Sequence, residues 1–448
     1  MNAETICAIA TPHGIGGISI VRLSGEEALA IAQKMVKQGQ LKPRFAHLRT
    51  LFDHEDAIID EAIVLFFRNP HSFTGEDVVE FQSHGGTITA QRIIETALAY
   101  GARLANPGEF TKRAVLNGKM DLSQAEAVAK LIESKSVDAA KILSRQLKGE
   151  LQTYVNTLRD KLVEILAFIE VNIDYAEEDL PDTLQKEIET KLHEIDREIT
   201  RTVETSESRE GLIEGFKVAI VGKPNVGKSS LLNALLRYDR AIISDIAGTT
   251  RDTIEEEVKI GTHLVKIVDT AGIRESSDTI EKIGIERSMA AIESADIVIA
   301  LFDGSQPIDT NDEEILRLLE QFHEVKEMIV AINKSDLPQQ IEREKLAPFH
   351  PLLISTRQDA SKIIEALREL LDTKNSEDAF MLISRRQIDA AKETHAAIRR
   401  SFAFLETGEL ELFAYEINDA INAIASITST FERDEILDKM FGSFCLGK

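Results

Sequence analysis

The stretch from Val218 to Ser230, VAIVGKPNVGKSS, constrains the fold more than any other part of the chain. It sets Gly222, four further residues, then Gly227, Lys228 and Ser229 directly after an apolar strand-like run and before the helix-like SLLNALL. A phosphate-cradling loop needs this order. The glycines let successive N–H groups turn toward the phosphates, the lysine supplies a point charge, and the serine hydroxyl can reach magnesium. Asn225, Val226 and Ser230 complete the run expected to contact the nucleotide. Around it, FKVAIVG, HLVKIVDTAG, DIVIALFD, MIVAIN and PLLIS alternate with helical segments. Short, continuously apolar, β-branched strands of this kind belong to a sheet covered on both faces.

The strand ends carry the remaining nucleotide chemistry. Asp269, Thr270, Ala271 and Gly272 (DTAG) bring a carboxylate near the metal and a glycine to where a γ-phosphate is sensed. Asn333, Lys334 and Asp336 lie in NKSD. The Asp336 carboxylate can accept from the N1–H and exocyclic amine of guanine, whereas adenine would leave it unpaired. Ser355, Thr356 and Arg357 follow the next strand, where a loop would meet the guanine carbonyl. Four elements in this order specify a GTPase. Ras-like enzymes orient the attacking water with a glutamine after the Asp-x-x-Gly element, but Ile273 stands there. Candidates for the missing function are Thr250 on magnesium, Arg251 as a charge near the phosphates, and Glu281 as a carboxylate on a nearby segment. On residues alone, the ordinary reading of Glu281 is a solvated surface glutamate.

At 448 residues the chain is long enough for two or three cores. Residues 1–118 mix strand-like ISIVRL, EAIVLFF and DVVEFQ with helical runs, as a small α+β domain would. Residues 119–210 are helical in texture: Leu147, Leu151, Tyr154, Leu158, Leu162, Ile165 and Ile169 recur at steps of three and four, as in one long amphipathic helix. A break is expected at EEDLPD. Residues 215–373 form the α/β unit, and 376–448 return to helical texture. The expected class is therefore multidomain: an α+β N-terminal domain, a discontinuous all-α domain, and an α/β Ras-like P-loop G domain inserted into it.

The net charge of −24 argues against broad binding to a phosphate backbone. Arg385–Arg386 and Arg399–Arg400 read as solvated helix faces. Two cysteines, Cys7 and Cys445, with no metal-binding spacing, fit a reducing, cytoplasmic protein, and no signal peptide or membrane span is expected. The ending FCLGK is a poor prenylation signal, since Gly447 and Lys448 do not suit a C-a-a-X box.

Taken together, GKPNVGKS, DIAGTTRD, ATPHGIGGISIVRLSG, SFTGEDVVEFQSHGG, NPGEFTKRAVLNGKMDLSQAEAV and the terminal FCLGK resemble the bacterial and organellar tRNA-modification GTPases of the MnmE (TrmE) family, from the first strand to the last residue. The resemblance implies a homodimer that works with the flavoprotein MnmG, in a heterotetramer, on C5 of the wobble uridine of certain tRNAs. The group installed is of the aminomethyl or carboxymethylaminomethyl type. Its carbon comes from a tetrahydrofolate, as the 5-formyl or 5,10-methylene derivative, and FAD enters only through the partner. The acidic net charge is then no obstacle, because the partner can supply much of the tRNA contact.

Residue by residue, the resemblance implies Ser229 and Thr250 on magnesium, and Asn225, Ser244, Ile246 and Thr249 around potassium. The switch run Ser244, Asp245, Ile246, Ala247, Gly248, Thr249, Thr250 contacts GTP. A monovalent cation against the phosphates would do the work of an arginine finger. Glu281 becomes the residue that organises water, with Arg251 in the matching switch position. Arg22, Glu80, Lys119 and Lys448 match folate positions, and Cys445 sits near the one-carbon chemistry either as participant or as packing. Two positions depart from the family pattern: Ile15 where arginine is expected between glycines, and Leu446 for isoleucine. From the G domain alone, a regulatory GTP switch in ribosome assembly remains the alternative; the N-terminal blocks and the tail favour tRNA modification.

Overall fold

The computed structural model describes residues 4–12, 14–174, 182–240, 256–268, 289–373, 380–429, 440–442, 444 and 447. Contacts divide the chain into two units: residues 1–132, 144–199 and 384–448, and residues 133–143 and 200–383. The expected boundary near 118 falls inside the first unit.

The first unit contains a six-stranded sheet in the order β3-β4-β5-β2-β1-β6, formed by β1 (Ile6–Ile9), β2 (Ile18–Ser24), β3 (His47–Phe52), β4 (Ile58–Phe67), β5 (Val78–His84) and β6 (Arg103–Leu104). Only the β1–β6 pair is parallel. Period-two alternation turns Val21, Leu23, Val64, Phe66, Val79 and Phe81 to one face, where they are buried with residues of helices Ala28–Val36 and Thr87–Ala99. On the other face Ile18 (64% exposed), Leu48 (60%) and Ile63 (39%) face outward. Strands β1, β3 and β6 were not among the expected runs: β1 and β6 are very short, and β3 mixes His47 and Arg49 with its apolar residues.

The helical segments follow as Leu122–Glu133, Val137–Leu147, Glu150–Asp174 and Asp182–Ser208, then Arg385–Thr407 and Leu410–Ala425. The single long helix expected to include Leu147 is instead two. Gly149 adopts φ +87°, which only glycine takes at little cost, and it ends the first helix before Leu151 opens the apolar stripe of the second. Leu151, Leu158, Leu162, Ile165 and Ile169 are all buried. The break expected at EEDLPD lies, except for Asp182, outside the described residues.

Helix Arg385–Thr407 begins on the Ser384 N-cap, which accepts from the Gln387 N–H, and stops at Gly408 with φ +73°. Arg386 departs from the expected solvated face. Its guanidinium pairs with Glu126 (2.7 Å) and donates to the carbonyls of Ser426 and Ile427, closing the end of the last described helix. Arg385, Arg399 and Arg400 are more than half exposed, as a solvated face requires. Among the described residues no helix is long and apolar enough to cross a membrane.

The second unit is built on a sheet in the order β12-β11-β10-β7-β9-β8, from β7 (Phe216–Val221), β8 (Glu256–Ile260), β9 (His263–Val268), β10 (Ile297–Asp303), β11 (Glu327–Asn333) and β12 (Leu352–Leu353). All pairs are parallel except β8–β9. Every residue of β10 is buried. Ile297, Ile299 and Leu301 join a core with helices Lys228–Arg240 and Ser361–Thr373 on one face, while Val298, Ala300 and Phe302 join another with helix Thr310–Phe322. The edge strand β8, EEVKI, was not expected: its three charged residues hide a strand whose Val258 and Ile260 are buried.

Residues 133–143 pack in this unit although they precede it by some sixty positions in sequence. Ser136 donates to the Thr262 carbonyl (2.9 Å), Thr262 donates to Asp138 (2.6 Å), and Lys135 pairs with Glu257. The buried His263 lies between Asp372, at 2.9 Å from Nε2, and Asp138, at 3.9 Å from Nδ1. All these contacts grip the β8–β9 hairpin.

Candidate functional site

The nucleotide loop follows β7. Gly222 has φ +151°, and a Cβ there would stand 2.6 Å from the Leu301 carbonyl oxygen; Gly227 has φ +113°, with Asn333 Nδ2 only 2.2 Å from where its Cβ would be. Both glycines are therefore demanded by backbone shape and by close approach. Asn225 takes the left-handed conformation at φ +61°, one of the few described non-glycine residues to do so. Lys228 Nζ donates to the carbonyls of Gly222 (2.6 Å) and Lys223 (2.9 Å). Burial pushes its ammonium down to about 8, so the loop holds a desolvated cation that anionic phosphates would stabilise.

The residues expected to meet guanine are tied to the same loop. The Asn333 side-chain amide donates to the Val226 carbonyl (2.7 Å) and to Thr356 Oγ1 (3.1 Å), and accepts from the Thr356 N–H (2.9 Å). Asp336 accepts from the Ser355 hydroxyl (2.7 Å), which holds its carboxyl below the usual range and leaves it ionised to receive two donors from a base. Lys334 donates to Asp303 (2.6 Å) at the end of β10. A cavity of about 720 Å³ is lined by Ser230, Thr356 and Arg357 among others, so three expected nucleotide contacts from distant parts of the sequence share one hollow. Ser229 lies in the first turn of the following helix. Ser244 to Arg251, Asp269 to Gly272 and Glu281 lie outside the described residues.

In the first unit Arg22 and Glu80 are register partners on β2 and β5, and their side chains pair at 2.9 Å. The Arg22 guanidinium lies over the rings of Phe73 (5.5 Å) and Phe110 (5.7 Å), which confine it. Lys119 packs its methylenes where a Cβ on Gly75 would sit, at 3.1 Å. Beneath the 72–76 loop, Arg113 bridges Glu76 and Glu109 at 3.0 Å each. Burial opposes ionisation of Glu109, but Arg103, the Asn106 N–H and Arg113 outweigh it and hold the carboxyl at about 2.

The tail reaches this region. Phe441 and Phe444 pack with Val115, Leu122 and Ala125. Gly447, with φ +95°, presses so close to β1 that a Cβ would fall 2.1 Å from the Ile9 carbonyl oxygen. Ile9 adjoins Ala8, the register partner of Arg22. Cys445, Leu446 and Lys448 lie outside the described residues, and Ile15, at the departing position, is fully exposed.

Sequence reasoning missed Lys223, Asp303, Asp309 and Asp312 around the nucleotide loop, and Phe73, Phe110, Glu76 and Arg113 around Arg22. One signal was available: Asp309 and Asp312, three apart before the apolar run ILRLL, have the spacing of a capping box.

A family model described as "MnmE helical domain" matches residues 122–445, and one described as "GTP-binding protein TrmE N-terminus" matches residues 5–119. The chain is 57% identical over 447 residues to a protein of Nitratiruptor sp., covering 100% of this chain and 99% of that one, and 56% identical over 448 residues to one of Sulfurimonas denitrificans, covering 100% of both. A Sulfurovum sp. protein is 55% identical over 445 residues, covering 99% of each; all three are described as "tRNA modification GTPase MnmE". A solved structure of Era with MgGDPNP and a segment of 16S ribosomal RNA is 28% identical, covers 41% of this chain and 66% of its own, and has a TM-score of 0.27. With two family models spanning nearly its whole length and relatives matched end to end, the chain belongs to the MnmE (TrmE) family of tRNA modification GTPases.

Proposed function

We propose that this chain is a potassium-stimulated GTPase that acts, with the flavoprotein MnmG, on C5 of the wobble uridine of certain tRNAs, drawing its carbon from a tetrahydrofolate. In this reading residues 1–118 bind folate and dimerise, 119–210 and 376–448 are two parts of one helical domain, and 215–373 are the G domain. The observation that carries it is the seat of Gly447 on Ile9, next in register to Arg22. A GTP switch needs no such tail, whereas a folate site closed by Lys448 does.

Each residue has a part in this scheme. Asp336 selects guanine, and Asn333 holds the base loop to the phosphate loop. Lys228 is desolvated and aimed by two carbonyls, so phosphates that displace it gain a full positive charge. Ser229 and Thr250 would hold magnesium. The left-handed turn at Asn225 fits a residue that offers oxygen to potassium together with Ser244, Ile246 and Thr249; potassium there would supply the positive charge that stabilises the transferring phosphoryl group. Glu281 would organise water, since Ile273 has no polar atom, with Arg251 beside the phosphates. Arg22, Glu80, Lys119 and Lys448 would hold the folate, and Cys445 would lie by its one-carbon unit. The outward apolar residues Ile18, Leu48 and Ile63 support a dimer face on the N-terminal sheet.

The test measures GTP hydrolysis in potassium and in sodium, and 5-formyltetrahydrofolate binding, for the full chain and for one lacking residues 445–448. Faster hydrolysis in potassium is expected, with truncation weakening folate binding and sparing hydrolysis. Hydrolysis without any folate binding by the full chain would return the reading to a ribosome-assembly switch.

A further inference from the structure

Lys223 is nine-tenths buried and lies outside every role assigned above. Its ammonium donates to Asp312 Oδ2 at 2.7 Å and Asp309 Oδ2 at 2.9 Å. These carboxylates also form the capping box of helix Thr310–Phe322: Asp309 accepts from the N–H groups of Asn311 and Asp312, and Asp312 accepts from the Asp309 N–H. The lysine thus plugs into a rigid helix start whose acceptors are already oriented. Burial works against its charge, but the two carboxylates raise its pKa, so it stays an ammonium.

The backbone of the same residue faces the other way. The Lys223 carbonyl, with that of Gly222, is the acceptor that aims Lys228. Two residues on, Asn225 holds its left-handed turn, between glycines that are also at positive φ. The glycines take such angles at little cost, but Asn225 does not, and it keeps its turn only where the surroundings fix the loop. Two side-chain attachments do so: Asn333 on the Val226 carbonyl toward the base, and Lys223 on helix Thr310–Phe322 at the start of the loop.

We propose that Lys223 is a positioning residue for GTP hydrolysis, its contact with Asp309 and Asp312 anchoring the phosphate loop so that Lys228 and Asn225 meet the phosphates and the cation in register. This rests on the GTPase reading above and adds a residue to it. Because the Asn333 attachment is separate, loss of Lys223 should blunt phosphate contacts and turnover while leaving base choice alone.

The experiment uses the full chain with Lys223→Met and Lys223→Arg. It measures GTP affinity, discrimination of GTP against ATP, and turnover per nucleotide-bound site. Lys223→Met is expected to bind GTP about tenfold more weakly and turn over at least about tenfold more slowly per bound site, with base discrimination unchanged. Lys223→Arg, which keeps the charge on the two carboxylates, should recover to within about threefold. Wild-type turnover per bound site in Lys223→Met would overturn the proposal, and so would an arginine variant as poor as the methionine one. Should Lys223→Met not fold, Asp309→Asn keeps a capping residue while withdrawing one charge; about threefold slower turnover is expected, and an unchanged rate overturns the anchor. A wild-type chain that binds GTP without hydrolysing it would defeat the GTPase reading instead, and the affinity ratios would still decide the anchor.

Discussion

The chain builds two six-stranded sheets by opposite strategies. In the second unit five of the six strands run parallel, and β10 is buried along its whole length, so each of its apolar residues serves one core or the other. In the first, nearly all pairs are antiparallel and the large core occupies one face, leaving the other to a small cluster of Ile6, Ala8, Ala105 and Phe110, to Arg22 and Glu80, and to outward-facing isoleucines. The difference decides where chemistry can sit. A doubly covered sheet has no free face, so its functional groups gather in loops at the carboxyl ends of strands, after β7, β11 and β12. A half-open sheet can use the strand side chains themselves, as the Arg22–Glu80 pair across β2 and β5 would in the folate site proposed above. Substitutions should therefore separate the two sites cleanly.

The largest effect is expected at Asp336. Asp336→Asn sets an amide donor against the guanine donors, and GTP affinity should fall roughly 10³-fold, with folate binding unchanged. Isothermal titration of both ligands measures this; a parallel loss of folate would break the separation. Next is Glu281→Ala, which should lower turnover by roughly 10² or more at nearly constant GTP affinity. Lost affinity with intact turnover would make it a structural residue.

The converse substitution is Gly447→Ala. A methyl group at a left-handed position 2.1 Å from the Ile9 carbonyl must displace the tail, so folate binding should weaken about tenfold or more while GTP hydrolysis stays at the wild-type rate. The smallest effect concerns pH. In the ligand-free chain Lys228 is held near 8, and phosphates favour its charged form, so the complex holds the proton more tightly than the free protein does. Affinity for GTP should be flat below about pH 7 and decline as pH rises through 8, by about fourfold between pH 7 and 8.5. Lys228→Arg stays charged throughout, and a decline that persists in it would assign the effect elsewhere.

The same contrast explains what could be read from the letters alone. Parallel strands appear as unbroken apolar runs, and loops that hold phosphates must carry glycine at fixed spacing, because Gly222 and Gly227 have no room for a Cβ; hence strands β7, β9, β10 and β11 were legible, and so were the loops after β7 and β11. The charged edge strand β8 was not, nor were β1 and β6, which are very short, nor β3, whose apolar residues are interrupted by His47 and Arg49. Long-range polar contacts leave no local periodicity. Arg386 with Glu126, Lys223 with Asp312, and Arg22 between Phe73 and Phe110 are legible only once the chain has folded.

The grip of residues 133–143 on the β8–β9 hairpin bears on any attempt to study the GTPase as a fragment. A cut made where the sequence suggests, at 215 and 373, discards Ser136 and Asp138, and with them the acceptor of the Thr262 hydroxyl and one flank of the buried His263. The hairpin so stripped is the piece of sheet whose ends run directly into residues 241–255 and 269–288, which hold the switch residues and Glu281. A rate measured on such a fragment would describe a nucleotide pocket with an intact phosphate loop and an unbraced switch hairpin, and supplying the 133–143 peptide in trans should move that rate toward the full-length value.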